Sequence, residues 1–270
     1  MIPNLTYEKI LSELKRQNFV EVPFPILKEE LNKAAGSFLK FLTLPQNLKG
    51  IFTVMVDTSD RGSDAGYVCR KKEEGYDHKE FFNYRKITEK LLERQIAENS
   101  ENPKVKNFLN SARKVYAEAT TALEQIIKVI DARHPGIYNK IFLQNPERML
   151  CLRFVKYDPA GRGEFLAKAH YDSGSCTLAI AESAPGLRVG KSPEMLKKAV
   201  RRGNTAFFFP SYTFSTDTNS SEFTPGWHDV IQKGDVRLNK DVARWAIVFF
   251  ANTQPTSDVP YIDTHTPKVY

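Results

Sequence analysis

The stretch Ala169-His170-Tyr171-Asp172 lies in a run that reads as a β-strand, and fold and function both turn on it. In an extended chain, residues i and i+2 leave the same face with Cα atoms roughly 7 Å apart. His170 and Asp172 therefore converge while Tyr171 points away. An imidazole and a carboxylate so placed are two ligands of a metal site, and a third must come from elsewhere in the chain.

The surrounding sequence is rich in similar strands. Residues 149–157, 177–180, 186–189, 205–209 and 244–250 are short β-prone runs punctuated by Gly, Pro and Asp. Many short strands with that punctuation predict a sandwich, barrel or jelly roll. Between two of them, the segment from Ser192-Pro193 to Arg202-Gly203 has a serine cap, a proline in first position and a trailing glycine, which predict a short helix. Its Lys197, Lys198, Arg201 and Arg202 form the densest basic cluster. With no stacking aromatics interleaved, they read as a solvated helix face and not as a nucleic-acid surface.

Before residue 148 the helical period dominates. Ile10, Leu11 and Leu14 place a helix over 7–17, and Phe19 to Pro23 alternates like a short strand. Leu27, Leu31, Ala34, Ala35, Phe38 and Leu42 recur at three and four, with Pro45 closing the segment. Residues 50–56 read as a strand that runs into a loop from Asp57. Helical patterns return over 86–97 and 103–133, the second with an apolar stripe suited to packing on a sheet. His134-Pro135-Gly136 ends it. Between strand and helix, Gly66 to Arg85 mixes aromatics with charges at no fixed period, as a loop lining a pocket does. No linker divides the two halves. The expectation is one domain over 1–270, with a mostly helical part at 1–147, a β core at 148–255 and a tail at 256–270.

The 270 residues suffice for a full core, and 41% hydrophobic with 26% charged residues is ordinary for a globular protein. The net charge of +7 is spread along the chain and interleaved with acids. The start MIPNLTYEKI lacks the pattern of a signal peptide, and no apolar stretch approaches membrane-spanning length. Cys69, Cys151 and Cys176 lie far apart without a CxxC, so free thiols are expected, with no zinc ribbon or disulfide framework. These features predict a cytoplasmic monomer with neither nucleic-acid nor membrane partner.

Five histidines are available as the third ligand: His78, His134, His170, His228 and His265. His78 reads as an exposed surface residue, His134 belongs to a helix end, and Asp263-Thr264-His265 reads as a frayed polar tail. His228 stands in Trp-His-Asp-Val-Ile, a return to β-prone sequence. Two histidines and a carboxylate on one face leave the opposite positions of an ion open, the arrangement suited to non-haem Fe(II). A structural zinc would close its shell with four ligands. Sixteen residues after His228, Arg244 begins the strand RWAIVFF. An arginine at a strand start is ordinarily a surface ion pair, but following this pattern it can hold the far carboxylate of a diacid bidentately.

At this point the chain resembles the Fe(II)- and 2-oxoglutarate-dependent dioxygenases of the isopenicillin N synthase-like group. The resemblance rests on ordered pieces: Gly66-Tyr67 followed by Asp77 to Phe81, Arg153 to Pro159, His170-Tyr171-Asp172, Gly186 to Val189, His228-Asp229-Val230, and Arg244-x-Ala246. It covers roughly residues 10 to 250. It implies a mainly β fold with flanking helices, in which a double-stranded β-helix, or jelly-roll, core is buttressed by N-terminal helices. It also implies that His170, Asp172 and His228 ligate Fe(II), that Arg244 holds the far carboxylate of 2-oxoglutarate, and that Tyr157 hydrogen-bonds this cosubstrate. The implied reaction uses O2 and 2-oxoglutarate, releases succinate and CO2, and hydroxylates, desaturates or cyclises a small molecule. An iron-dependent oxidase that does not use 2-oxoglutarate, and a jelly roll that only binds a ligand, are the alternatives.

The sequence departs from the family pattern in three places. Ala246 replaces the usual serine two residues after the arginine, Val155 replaces an asparagine, and Pro210 to Phe214 replaces a Gly-Asp turn. A lost neutral hydrogen bond costs about 1 kcal/mol, roughly fivefold in affinity, which leaves cosubstrate binding intact. Arg61, Tyr67, Phe81, Tyr84, Arg85, Tyr212 and Phe214 are candidates for the substrate pocket, and core packing is an equally good reading of each aromatic among them. Basic residues near 57–85 point to a carboxylate-bearing substrate.

Overall fold

The computed structural model describes residues 5–55, 64–70, 79–160, 163–232 and 238–253. His78, Arg61, Asp263, His265 and the tail at 256–270 lie outside the described residues. In chain order the first half runs α1 (Tyr7–Gln17), β1 (Val20–Pro23), α2 (Lys28–Leu42), α3 (Gln46–Gly50), β2 (Thr53–Met55), β3 (Asp64–Arg70), β4 (Lys79–Tyr84), α4 (Lys86–Leu91), α5 (Glu93–Glu98) and α6 (Pro103–Asp131). The second half runs α7 (Ile137–Phe142), α8 (Pro146–Met149), β5 (Leu150–Tyr157), β6 (Phe165–His170), β7 (Cys176–Glu182), β8 (Leu187–Gly190), β9 (Lys197–Lys198), β10 (Thr205–Pro210), α9 (Phe214–Asp217), β11 (Trp227–Ile231) and β12 (Arg244–Ala251).

The described strands form two antiparallel sheets. The larger has the order β1-β10-β7-β12-β5-β4-β3-β2, and the smaller β6-β11-β8-β9. This is the predicted jelly roll with helices on one side. The alternation of β5 shows how the layers are built. Leu150, Leu152 and Phe154 join the core under the helices, while Val155 and Tyr157 join the apolar cluster between the sheets. On the helix side, Phe38 and Phe41 of α2 meet Phe108 of α6, whose ring centroid lies 4.9 Å from that of Phe82 and 5.3 Å from that of Phe154. Asn102 caps α6 by accepting from the Lys104 amide, with Pro103 in the first turn. The other end of the fold is tied through Asn18, the left-handed residue that closes α1. Its side-chain amide donates to the Gly190 and Pro225 carbonyls, at 3.0 and 2.9 Å.

Four sequence-based expectations change. The described parts of the segment over 66–85 are strands and not loop, because β3 and β4 extend the main sheet from β5. Its mixed composition reflects its two faces: Phe82 and Tyr84 join the core under the helices, whereas Phe81 faces the space between the sheets. Gly66, at φ +77, marks a close crossing, since a Cβ there would stand 1.8 Å from the Phe52 carbonyl oxygen. Of the strand expected over 50–56, the described residues form only the short β2 after the helical turn α3, and the helix over 86–97 is two short helices. The helix predicted between Ser192 and Gly203 is a 3-10 turn at Pro193–Met195 followed by β9. Pairing of Arg188 with Lys198 and Val189 with Lys197 supplies hydrogen bonds that a helix there would have had to make internally.

The β4–β5 junction is anchored by Glu80. Its Oε1 accepts from Lys49 Nζ at 2.7 Å and from the Tyr67 hydroxyl at 2.6 Å, and its Oε2 accepts from Lys156 Nζ at 3.0 Å. Burial alone would raise this carboxyl. The hydrogen bonds from Lys49, Tyr67 and Lys156 outweigh burial and lower it from the usual 4.5 to about 2. A carboxyl depressed by folding stabilises the fold above its unfolded value and stops doing so as pH falls through the folded value. Glu80→Gln is therefore expected to be less stable than the wild type above pH 4.5, with the gap closing as pH approaches 2. Urea unfolding across that range checks this, and a gap that does not change with pH would contradict it.

Candidate metal centre

Strand pairing brings the metal-ligating side chains together. His170, the last residue of β6, stands directly opposite His228 of β11. Residues paired across an antiparallel ladder share a face, so both imidazoles enter the space between the sheets. Their ring centroids are 4.3 Å apart. Tyr171 points away, as its position in the pattern predicts, and packs on Trp227. Asp172 is not on the strand with His170: β6 ends first, and Asp172 begins the loop to β7. That loop is held by the segment after β10. The amides of Ser211, Tyr212 and Thr213 donate to the carbonyls of Ser175, Asp172 and Gly174, respectively. The departure at Pro210 to Phe214 thus builds a backbone clamp on the Asp172 loop.

The three candidate ligands converge. One ligand atom from each of His170, Asp172 and His228 lies within 4.8 Å of the others. Nε2 of His170 and Nε2 of His228 are each 3.6 Å from Asp172 Oδ1. The far side of each ring is fixed as well: His170 Nδ1 lies 2.6 Å from the Lys168 carbonyl and His228 Nδ1 lies 2.9 Å from the Gly226 carbonyl. A carbonyl only accepts, so Nδ1 carries the proton in both rings and Nε2 presents its lone pair to the centre. Asp172 Oδ2 accepts from the Thr177 hydroxyl at 2.6 Å. Burial would raise the Asp172 carboxyl, but attraction to His228 and His170 and the bond from the Thr177 hydroxyl hold it well below the usual range. Burial pushes the His228 imidazolium the other way, toward the neutral form. One ionised carboxylate and two imidazoles whose Nε2 atoms face it fit a divalent ion.

The site opens on a cavity between the two sheets. At one end of it stands Arg244, whose strand position pairs with Tyr157 of β5. The guanidinium is buried, 5.6 Å from the Tyr157 ring centroid. Its Nη2 donates to Glu182, while Nε and Nη1 have no hydrogen-bond partner among the described residues. Gly186 makes room here, because a Cβ would come within 3.1 Å of Arg244 Nη1 and 2.9 Å of the Ile231 carbonyl oxygen. Ala246 and Val155, the two departures in the strands, both line the cavity.

Two residues of this end are not found by sequence reasoning. Arg201, assigned to a solvated face, turns inward there and is half-buried: its Nη2 donates to the Ala179 carbonyl at 2.8 Å and its Nη1 lies 3.6 Å from Glu182. The stretch that carries it is not helical, and its side chain lies over the Phe207 ring. Glu182 is hidden because strict alternation along β7 would turn it to the helix side with Leu178 and Ile180. A bulge intervenes, for Ile247 pairs with Ala181 but Val248 with Ala179. The extra residue re-aims Glu182 to the face it shares with Ala246. Of the candidate pocket residues, Tyr67, Tyr84 and Phe214 are core, and Arg85 is buried with Nη1 donating to the Arg148 carbonyl. Tyr212 contributes its amide to the Asp172 clamp and does not line the cavity. Phe81 stands behind the wall in the inter-sheet cluster.

No protein-family model matches the chain, and no curated protein matches it in sequence. Solved structures match in fold. A full-length Neurospora crassa protein in complex with alpha-KG superposes with a TM-score of 0.63 at 19% identity, covering 90% of this chain and 76% of that one. The dioxygenase for auxin oxidation 1 of Arabidopsis thaliana, in its 2-oxoglutarate complex, gives 0.67 at 15% identity, covering 93% and 92%. The dioxygenase for auxin oxidation of rice gives 0.64 at 13%, covering 90% and 76%. At these identities the shared feature is the jelly-roll fold.

Among the described residues, Glu182 is the carboxylate that pairs with both guanidiniums at this end, and its pair with Arg244 is buried. Removing one member of a buried ion pair costs about 3–5 kcal/mol, because the remaining charge is left uncompensated. Glu182→Gln is expected to lose stability on that order in urea unfolding. A loss below about 1 kcal/mol would show that the pair is not desolvated.

Proposed function

We propose that the chain is a non-haem Fe(II)- and 2-oxoglutarate-dependent oxygenase acting on a small molecule, and that it works as a single domain. The observation that carries the reading is one cavity holding both the His170, Asp172 and His228 face and the open Nε and Nη1 of buried Arg244. A metal site alone fits several chemistries. A metal site with an unsatisfied cationic fork deep in the same cavity fits a chelating diacid, and the fold is one seen in structures holding 2-oxoglutarate. The single-domain reading is supported by the larger sheet, which takes β1 to β4 from the helical half and β5, β7, β10 and β12 from the other.

Each residue then has a task. His170, Asp172 and His228 bind the ion on one face, their Nδ1 protons and the Thr177 hydroxyl keeping the ligand atoms aimed inward. Fe(II) bound there supplies O2 activation coupled to oxidative decarboxylation of 2-oxoglutarate to succinate and CO2. Arg244 takes the distal carboxylate through its open donors, and Tyr157, stacked beside it, lines the same end. Val155, Ala167, Ala179, Phe209, Val230, Ala246 and Val248 provide a mostly apolar wall that excludes water.

Succinate formation from 2-oxoglutarate, with Fe(II), O2 and a panel of small organic acids, tests the reading. Charge-assisted hydrogen bonds are worth about 1.5–3 kcal/mol, so Arg244→Ala is expected to weaken 2-oxoglutarate binding at least tenfold with Fe(II) binding retained. Unchanged 2-oxoglutarate affinity would overturn the cosubstrate assignment and favour an iron oxidase that does without it.

A further inference from the structure

The cavity holds another, half-buried cation, at the opposite end of its wall from Arg244. Arg153 of β5 lines it beside His170 and Asp172. Its Nε donates to Asn83 Oδ1 at 2.8 Å. Its guanidinium carbon sits 4.4 Å from the Phe81 ring centroid and 5.0 Å from that of Phe250, so two aromatic faces clamp the plane. Among the described residues no carboxylate pairs with it, and no acceptor takes its Nη groups.

Other cations lie near it. Lys79 lines the same cavity, and the Arg70 guanidinium lies 5.2 Å from the Phe81 ring. Burial, and then the Arg70 charge, oppose ionisation of Arg153, with Asp172 among the groups that favour it. When Asp172 serves a cation, that compensation is largely spent. A half-buried fork held against two aromatic rings, with open donors, calls for an anion.

That anion is not the cosubstrate. Arg153 pairs with Val248 and Tyr157 with Arg244, so the two arginines stand four residues apart along the ladder, about 13 Å. The two guanidiniums also have different neighbours, Tyr157 and Glu182 at Arg244 and Phe81 and Phe250 at Arg153, so the Arg153 fork is a second anion site. The walls near Arg153 are Phe250, Val248 and Val155, which are apolar.

We infer that Arg153 binds the prime substrate, and that this substrate is a small organic acid whose carboxylate meets the Arg153 fork while its apolar body lies along the wall toward the metal. The inference rests on the oxygenase reading for the place of the metal, and it assigns that reading a substrate class. Asn83, Phe81 and Phe250 are positioning residues that hold the guanidinium in plane.

The test uses folded protein loaded with Mn(II) and 2-oxoglutarate, which leaves Arg244 occupied. Phenylacetate and cyclohexanecarboxylate are titrated against their neutral amides, with affinity read by calorimetry and proximity read from Mn(II) broadening of the probe protons. The wild type is expected to prefer the carboxylates at least tenfold, with their protons broadened. Arg153→Gln should abolish the preference and leave 2-oxoglutarate affinity unchanged. Arg153→Lys, which retains the charge without the fork, should keep a reduced preference and covers the case in which the glutamine variant does not fold. Equal binding of acid and amide by the wild type, no carboxylate binding at millimolar concentration, or a preference that survives Arg153→Gln would overturn the inference. Failure of the oxygenase reading looks different: broadening is absent throughout while the Arg153-dependent preference stands.

Discussion

The site depends on one strand pairing, β6 against β11, which sets His170 directly opposite His228. From that register follows the common face of the two imidazoles, and each ring then meets the carbonyl two residues before it, Lys168 for one and Gly226 for the other. Those bonds choose the tautomer, so both Nε2 lone pairs aim at a single point near Asp172. The carboxylate arrives by a different route, from a loop fastened to Ser211, Tyr212 and Thr213 and bonded to Thr177. A slip of one residue in either element would turn a ligand out of the cavity.

The rest of the cavity is organised by charge. Arg244 and Arg201 share Glu182 at one end, an arrangement with more cation than anion. Arg153 stands at the other end, clamped by aromatic rings and paired with no acid among the described residues. Between them lies the Asp172 carboxylate, flanked by two histidines. Guanidiniums drawn partly or wholly out of water without full compensation are costly in a fold, and they persist where a bound anion supplies the missing charge. The two ends are distinct in kind: Arg244 retains two open donors beside an internal partner, whereas Arg153 offers its terminal nitrogens outright.

Much of this was legible where side-chain period and packing agree. The apolar stripes of α1, α2 and α6 match the helices, and the runs at β5, β7, β10 and β12 match the strands, because each buries one continuous face. His170, Asp172 and His228 were legible as a constellation, since few residue types can serve a metal and their order along the chain was informative. What failed was local. The aromatics of β3 and β4 serve two different layers, so no single period emerges from Gly66 to Arg85. Glu182 depends on a bulge that a sequence does not announce, and Arg201 reaches the cavity from an extended crossing that a capped-helix pattern conceals. Arg153 opens the stretch that runs to Pro159, yet its role follows only from Asn83, Phe81 and Phe250, which the sheet brings to it from two other strands.

The central claim is that these three side chains form one metal centre. An anaerobic Fe(II) titration of the metal-free protein tests it most directly. One Fe(II) per chain is expected to bind, with binding abolished in the variant combining His170→Ala and Asp172→Ala while the fold, followed by circular dichroism, is retained. Stoichiometric Fe(II) binding that survives in that variant would contradict the account.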